Sequence, residues 1–452
     1  MGDIIFRHAA PATGKTFYEK RYISTLYRKG KKDKVLWLTP LRTLRQRERQ
    51  DLIRNFGLDH RDVHVIKSKE EAGCNLIRNS YSPLLSLIAC SRCPTKTCWY
   101  RQMINHYMES DEGVWIATHR FLPFSIFGGA KLVVVDEYDL MIPNYLLQPV
   151  SRDEVEILIK NRIITKQDID KLYKKRMLFI YNGTMYITTR FFILHTALYS
   201  REVRLLSATP IPDEELNLRL FVVDPDEQVV TSTIENAFED ERIRIKTAPP
   251  YIPANVKIRG LCISQKIYMS SRMRRTVIEE IIPELIKRLD GKITVITGSK
   301  REMYRLKYII ERKIPYRKTV CEEVPEYSML ETASIRLIVV SGKLSRGWDL
   351  DSDVVIALWQ YGEPTKSLEV IEFLNNIFPN IGGEELYKYM SYRRHVQTLF
   401  RTIRRYDRPH LLILLDRSWF NALSYFTTTR FLLKHIEIES LDDLVNAVIR
   451  MR

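Results

Sequence analysis

A chain of 452 residues is too long for one ordinary hydrophobic core and implies two or three domains. Its 45% hydrophobic content excludes a disordered chain. No apolar run reaches the roughly 18 residues of a spanning helix, and Met1–Phe6 lacks the layout of a signal peptide, so an intracellular, membrane-free protein is expected. The net charge of +16 favours a polyanionic partner, nucleic acid first, over a merely solubilising surface.

In chain order, Ile4–Arg7 predicts a buried strand. It runs into Ala9, Ala10, Pro11, Ala12, Thr13, Gly14, Lys15 and Thr16, which fit a small residue, four free positions and Gly-Lys-Thr. In such a loop backbone N–H groups cradle phosphate oxygens, the lysine adds a point charge and the threonine hydroxyl meets Mg²⁺. ATP and Mg²⁺ are the expected ligands. Ala12 stands where glycine is common, which stiffens the loop.

Val35–Thr39 predicts a second strand, followed by Pro40, Arg42 and Thr43 and a basic run with Arg45, Arg47 and Arg49. Helical spacing spreads those arginines over more than one face. After a strand at Val63–Lys67 come Cys74, Cys90, Cys93 and Cys98. Four clustered thiols in an intracellular chain predict a metal site rather than disulfides. Both a 4Fe–4S cluster and tetrahedral zinc suit the spacing. Beside them, Trp99, Tyr100 and Arg101 either stack bases and hold phosphates or pack against that site; the residues favour neither.

Val114–Thr118 and Lys131–Asp136 are further strands, and Asp136-Glu137 closes the second. An acidic pair there can hold Mg²⁺ through Asp136 and orient or deprotonate a water through Glu137. His119 either assists this site or is a structural histidine. Residues 144–200 read as an insertion: a helix over Ser151–Arg176 with Ser151 as N-cap, then a hairpin over Leu178–Ile187 turning at Asn182-Gly183. Val203–Ser207 returns to the sheet and leads to Ser207, Ala208 and Thr209. The proline-rich Thr247–Pro253 predicts a crossover. From Ile258 a second α/β pattern begins, with a helix over Ser271–Leu289 and strands at Ile293–Thr297, Ile335–Val340, Val354–Leu358 and Leu411–Leu415. Cys262 and Cys321 are taken as structural. Helical spacing puts Gln397, Arg401 and Arg404 on one face, either as arginine fingers or as a solvated basic or nucleic-acid-binding helix.

These residues together resemble the ordered motifs of superfamily 2 helicases, specifically the iron–sulfur branch typified by XPD and DinG. Ala9–Thr16 resembles motif I, Thr39–Leu44 motif Ia, Asp136–Asp139 motif II, Ser207–Thr209 motif III, Ser341–Asp349 motif V and Gln397–Arg405 motif VI. Thr118-His119 and Asp416-Arg417 also match the family's pattern. Phe400 and Arg346 depart from it, since the family has glycine and an acidic residue there. The short insertion makes the form reminiscent of helicases of archaeal viruses or mobile elements, which would place it in a host cytoplasm.

The resemblance implies an α/β fold: two RecA-like domains with parallel sheets, plus a four-cysteine metal-cluster insertion and a short Arch-like insertion in the first. Domain 1 would span 1–222, with the cysteine insertion at 70–105 and the Arch-like one at 144–200. A linker would follow at 223–257 and domain 2 at 258–452. It implies a 4Fe–4S cluster in preference to zinc, and ATP held also by Gly347 and Asp349. Glu137, Asp136, Gln397, Arg401 and Arg404 would be catalytic, and Ser207–Thr209 would couple the lobes. The implied activity is an ATP-dependent single-stranded-DNA translocase or DNA helicase, 5′ to 3′, monomeric, on single-stranded or forked DNA. RNA as the substrate, or a non-catalytic nucleic-acid-binding role with a decayed site at Ala12 and Phe400, are the alternatives.

Overall fold

The computed structural model describes residues 2–74, 90, 92, 93, 95, 98–122, 128–141, 149–174, 178–181, 184–187, 193–213, 243–322, 327–340, 350–359, 383–403 and 405–451. Contacts divide the chain into two units. The first holds Met1–His8, Gly14–Ser207 and Asp213–Pro249, and the second Ala9–Thr13, Ala208–Pro212 and Pro250–Arg452.

The strands in the first half are β1 (Gly2–Ala9), β2 (Val35–Thr39), β3 (Val63–Val65), β4 (Val114–Thr118), β5 (Leu132–Asp136), β6 (Pro149–Val150), β7 (Leu178–Tyr181), β8 (Thr184–Ile187), β9 (Glu202–Ser207) and β10 (Ile243–Tyr251). Seven of them form one sheet in the order β10-β1-β9-β5-β2-β4-β3. The pairs from β1 through β3 are parallel, with His8 opposite Ser207 and Asp136 opposite Leu206. Every residue of β2 and β5 is buried, as expected of strands covered on both faces. One of those faces packs Val35, Trp37, Val114 and Val134 against Ile23 and Leu52 of the helices Lys15–Arg28 and Arg42–Arg54. The expected crossover, Thr247–Pro253, contains the end of β10, and the division between the two units falls within it, after Pro249. A sheet edge tolerates the missing N–H groups of Pro249 and Pro250.

Strands β6, β8 and β7 make a small antiparallel sheet of their own. Tyr181 pairs with Thr184, which is the register of the hairpin expected at Asn182-Gly183, a dipeptide outside the described residues. The single helix expected over Ser151–Arg176 is two, Arg152–Lys160 and Lys166–Lys174. The break falls at Arg162, whose φ of 56° no helix contains. Ser151 does cap the first, accepting from the Asp153 N–H at 3.2 Å. Val155, Leu158, Ile163, Ile164, Leu172 and Leu178 give this module its own core.

The second unit carries β11 (Ile258–Ile263), β12 (Ile293–Thr297), β13 (Thr319–Cys321), β14 (Ile335–Val339), β15 (Val354–Ala357), β16 (His410–Leu414) and β17 (Ile436–Glu439). They lie in the order β13-β14-β12-β15-β16-β11-β17, every neighbouring pair parallel. The helical stretch from Ser271 to Arg288 contains a wide π turn at Val277–Ile281. Pro283 lacks an N–H and would crowd the carbonyl four residues back, and the wide turn absorbs that conflict.

The expected four-cysteine metal-cluster insertion is corrected. Cys74, Cys90, Cys93 and Cys98 are all described, half-buried and free. Among the described residues no group of three or more Cys, His, Asp or Glu side chains could hold a metal ion. Neither the 4Fe–4S cluster nor zinc is therefore supported. Burial pushes the Cys90 thiol up, and the Lys69 ammonium beside it partly offsets this. That ammonium lies 5.6 Å from the Tyr100 ring centre. Among the described residues no helix is long and apolar enough to cross a membrane.

Candidate active site

Because β1, β9, β5, β2 and β4 are parallel, the segments after them emerge at one edge of the sheet, where open α/β sheets bind ligands. The loop after β1 ends at Gly14, whose φ of 84° only glycine adopts readily, and the helix Lys15–Arg28 starts there without a side-chain cap. Its first-turn N–H groups are left for an anion. Ala12 also has a left-handed φ, 59°. Thr13 Oγ1 donates to the Ala10 carbonyl at 2.7 Å and holds the turn. In the second unit, which includes Ala9–Thr13, the Ala10 N–H donates to the Tyr251 carbonyl at 2.9 Å and Tyr406 Oη to that of Pro11 at 2.6 Å.

Thr16 Oγ1 lies 3.3 and 3.4 Å from the two carboxylate oxygens of Asp136, a residue 120 positions away at the end of β5. Asp136 is buried. Burial pushes its carboxyl up, the Glu137 charge acts the same way, and Lys15 opposes both. Converging hydroxyl and carboxylate oxygens suit Mg²⁺, which takes one or two protein oxygens and completes its shell with phosphates and water. Glu137 follows with a φ of 50°, an uncommon backbone for a residue with a side chain. His119, left open by the sequence, is buried, with Nε2 2.7 Å from the Asp136 carbonyl oxygen. His8 Nε2 lies 3.0 Å from the hydroxyl of Tyr138, and burial pushes the imidazole down to about 4. His119 thus braces the backbone of the acidic pair, and His8 holds the side chain of Tyr138 beside it.

Sequence reasoning missed the charges beneath the loop. Glu19 is buried between Arg7 at 3.1 Å and Arg204 at 2.6 Å, which fastens the helix Lys15–Arg28 to β1 and β9. Lys20, one residue on, binds Glu48 and Asp51 of the helix Arg42–Arg54. The signal was present as Glu-Lys on the helix side that also buries Ile23, Ser24 and Tyr27, but charge alone reads as solvated.

The second unit includes Ala208–Pro212. There Gln397 Nε2 donates to Thr209 Oγ1 at 3.1 Å, Tyr389 Oη to the Thr209 carbonyl at 3.0 Å, and Thr428 Oγ1 to the Ala208 carbonyl at 2.5 Å. Ser207 is buried at the end of β9. The helix Gly383–Arg401 carries Gln397 and Arg401 on one face and stops at Arg401. Arg404, Gly347 and Asp349, with the rest of Ser341–Asp349, lie outside the described residues. Phe400 is buried in that unit's core, 6.3 Å from the Tyr406 ring.

The expected nucleic-acid contacts separate by exposure. Pro40 is buried, whereas Arg42 and Thr43 are exposed. Arg42 pairs with Glu70 at 2.6 Å. Arg45 is buried and spent on Glu71 at 2.7 Å, which, against the effect of burial, holds that carboxyl down at about 2. Trp99 is 66% exposed with Lys67 Nζ 5.9 Å from its ring, and Arg101 is exposed. Tyr100 is only 7% exposed and packs inward. Arg92 reaches Asp168 of the small antiparallel module at 2.7 Å.

No family model and no curated protein matches the chain. Among solved structures, XPD in its apo form is similar with a TM-score of 0.58 at 14% identity, over 97% of this chain and 97% of that one. Xpd4 of S. tokodaii gives 0.49 at 13% identity over 97% and 96%. S. cerevisiae Dbp5 bound to RNA and ADP BeF3 gives 0.44 at 13% identity over 99% and 88%. At such identities the likeness is one of fold: two parallel sheets consistent with two RecA-like domains.

Proposed function

We propose that the chain is an ATP-driven nucleic-acid translocase or helicase of superfamily 2, of an XPD-like kind. The observation that carries this is the meeting of Thr16 and Asp136, two motif residues far apart in sequence, within 3.4 Å of each other. In this reading the loop Ala9–Thr16 and Lys15 bind the phosphates of ATP. Mg²⁺ arriving with the nucleotide would be held by Thr16 and Asp136 and would neutralise phosphate charge. Glu137 orients the attacking water and accepts its proton. Gln397, Arg401 and Arg404 stabilise charge on the transferred phosphoryl group, with Gly347 and Asp349 at the nucleotide. Ser207, Ala208 and Thr209 pass the change in nucleotide state onward. Residues 1–222 and 258–452 act as the two lobes, joined by 223–257. The strand runs over Arg42, Thr43, Trp99 and Arg101, while Tyr100 packs inward. DNA as substrate and 5′-to-3′ movement are part of the proposal.

Phosphate release measured with and without single-stranded DNA or RNA tests it. Stimulation by the polynucleotide is expected, and Lys15→Ala should lower turnover by about 100-fold or more while leaving the circular-dichroism spectrum unchanged. Equal release with and without any polynucleotide would refute the coupling. Strand displacement from forks with opposite tails reads the direction.

A further inference from the structure

We propose that the outward face of the helix Lys300–Lys313 and the turn behind it form a second binding surface for single-stranded nucleic acid, separate from Arg42, Thr43, Trp99 and Arg101. The proposal rests on the nucleic-acid reading above and adds a place.

The helix follows β12 and is capped by Ser299, whose Oγ accepts from the Glu302 N–H at 3.3 Å. Met303, Leu306 and Ile310 bury its inner side. The other side carries Tyr304, Tyr308 and, past the end, Tyr316, at 46%, 59% and 73% exposure. Between residues 300 and 318 there are eight basic and two acidic residues; of the basic ones Arg305 pairs with Glu279, Lys313 donates to the Glu279 carbonyl and Arg317 to those of Ile286, Leu289 and Gly291. The two acids are engaged: Glu302 accepts from Trp359 Nε1 at 3.1 Å and Glu311 stands 3.7 Å from Lys307. Arg301, three residues before Tyr304, is exposed, and Arg312 donates to Tyr308 Oη at 2.9 Å with its guanidinium 5.4 Å from that ring's centre.

Charge selects a polyanion, and the rings select its form. Tyr304, Tyr308 and Arg312 repeat every four residues, so they step about 6 Å along the axis. A duplex strand advances about 3.4 Å per nucleotide, so bases lying on successive positions of this row must be spread apart, as only an unpaired strand allows. Stacking on aromatic faces beside cations is how proteins hold single strands without reading sequence. A face that merely had to stay wet would need no exposed tyrosine rings. An acidic protein segment would use the cations but gain nothing from the ring spacing.

Binding of oligothymidylate of roughly 10 and 40 nucleotides to the full chain, followed by fluorescence anisotropy, tests this. Tyr304→Ala with Tyr308→Ala should weaken the longer strand about 10-fold and the shorter one less than twofold. Tyr304→Phe with Tyr308→Phe should bind both as the unaltered protein does. In the unaltered protein, photo-cross-linking with iodouracil-substituted strands should mark Tyr304 or Tyr308. Unchanged binding of the long strand by the alanine variant, or cross-links confined to other segments while the strand still stimulates ATPase, would overturn the proposal. So would displacement of the long strand by polyglutamate as effectively as by unlabelled oligothymidylate, which would mark an acidic protein as the occupant. A strand that neither binds nor stimulates ATPase refutes the broader functional reading instead.

Discussion

Two residues at the candidate site hold backbones that side chains rarely adopt, Ala12 with φ 59° and Glu137 with φ 50°. A left-handed residue costs roughly 1–2 kcal/mol when it carries a Cβ, and both flank the place where the phosphates are proposed to sit. The stiffness expected of Ala12 is therefore strain at a chosen point rather than simple rigidity. His8 gives this region a pH dependence. Its folded value of about 4 lies below the ordinary 6.5, so between these limits the unfolded chain binds more protons. The stability that His8 contributes is intact above pH 6.5 and is lost as the pH falls toward 4. Urea melts of the unaltered protein and of His8→Gln at pH 7.5 and 5.0 should show the former losing about 2 kcal/mol more over this range. Parallel losses in the two proteins would mean that the imidazole stays hydrated.

At the scale of elements, the helices Lys15–Arg28 and Arg42–Arg54 are joined through Lys20, Glu48 and Asp51. One helix starts at the phosphate loop and the other at Arg42, so this junction links the two proposed contact points. Glu48→Ala leaves a buried ammonium with Asp51 alone and should cost about 3 kcal/mol in urea denaturation. Lys20→Met with Glu48→Leu removes both charges and should cost much less. The strands, the loop after β1 and the acidic pair after β5 were legible because they are local: an apolar run between polar turns, a glycine before a lysine, an acidic pair closing a strand. β13 and β17 were not, being short edge strands of three and four residues with little pattern to read. The buried charges were invisible because sequence does not tell which lysine faces inward. The cysteines misled for a related reason: spacing says which thiols are near along the chain, and only folding says whether they converge.

The whole molecule pairs strands that are distant in sequence. In the second sheet β11 lies between β16 and β17, with Gly260 opposite Leu412 on one side and Ile436 on the other. A chain ending at His435 would lack β17 and the helix Leu444–Met451, and β11 would present an open apolar edge. Such a truncation should sediment as aggregate at concentrations where the 452-residue chain stays dispersed. Recovery of a dispersed, cooperatively melting truncation would show that the edge strand is dispensable. The same arrangement has a consequence for biosynthesis. At about 5–20 residues per second, β11 leaves the ribosome on the order of 10 s before β16 and β17 exist to flank it. Through that interval both ladder edges of β11 stay unpaired, although Leu261 and Ile263 can already pack against Ile267, Val277 and Ile282.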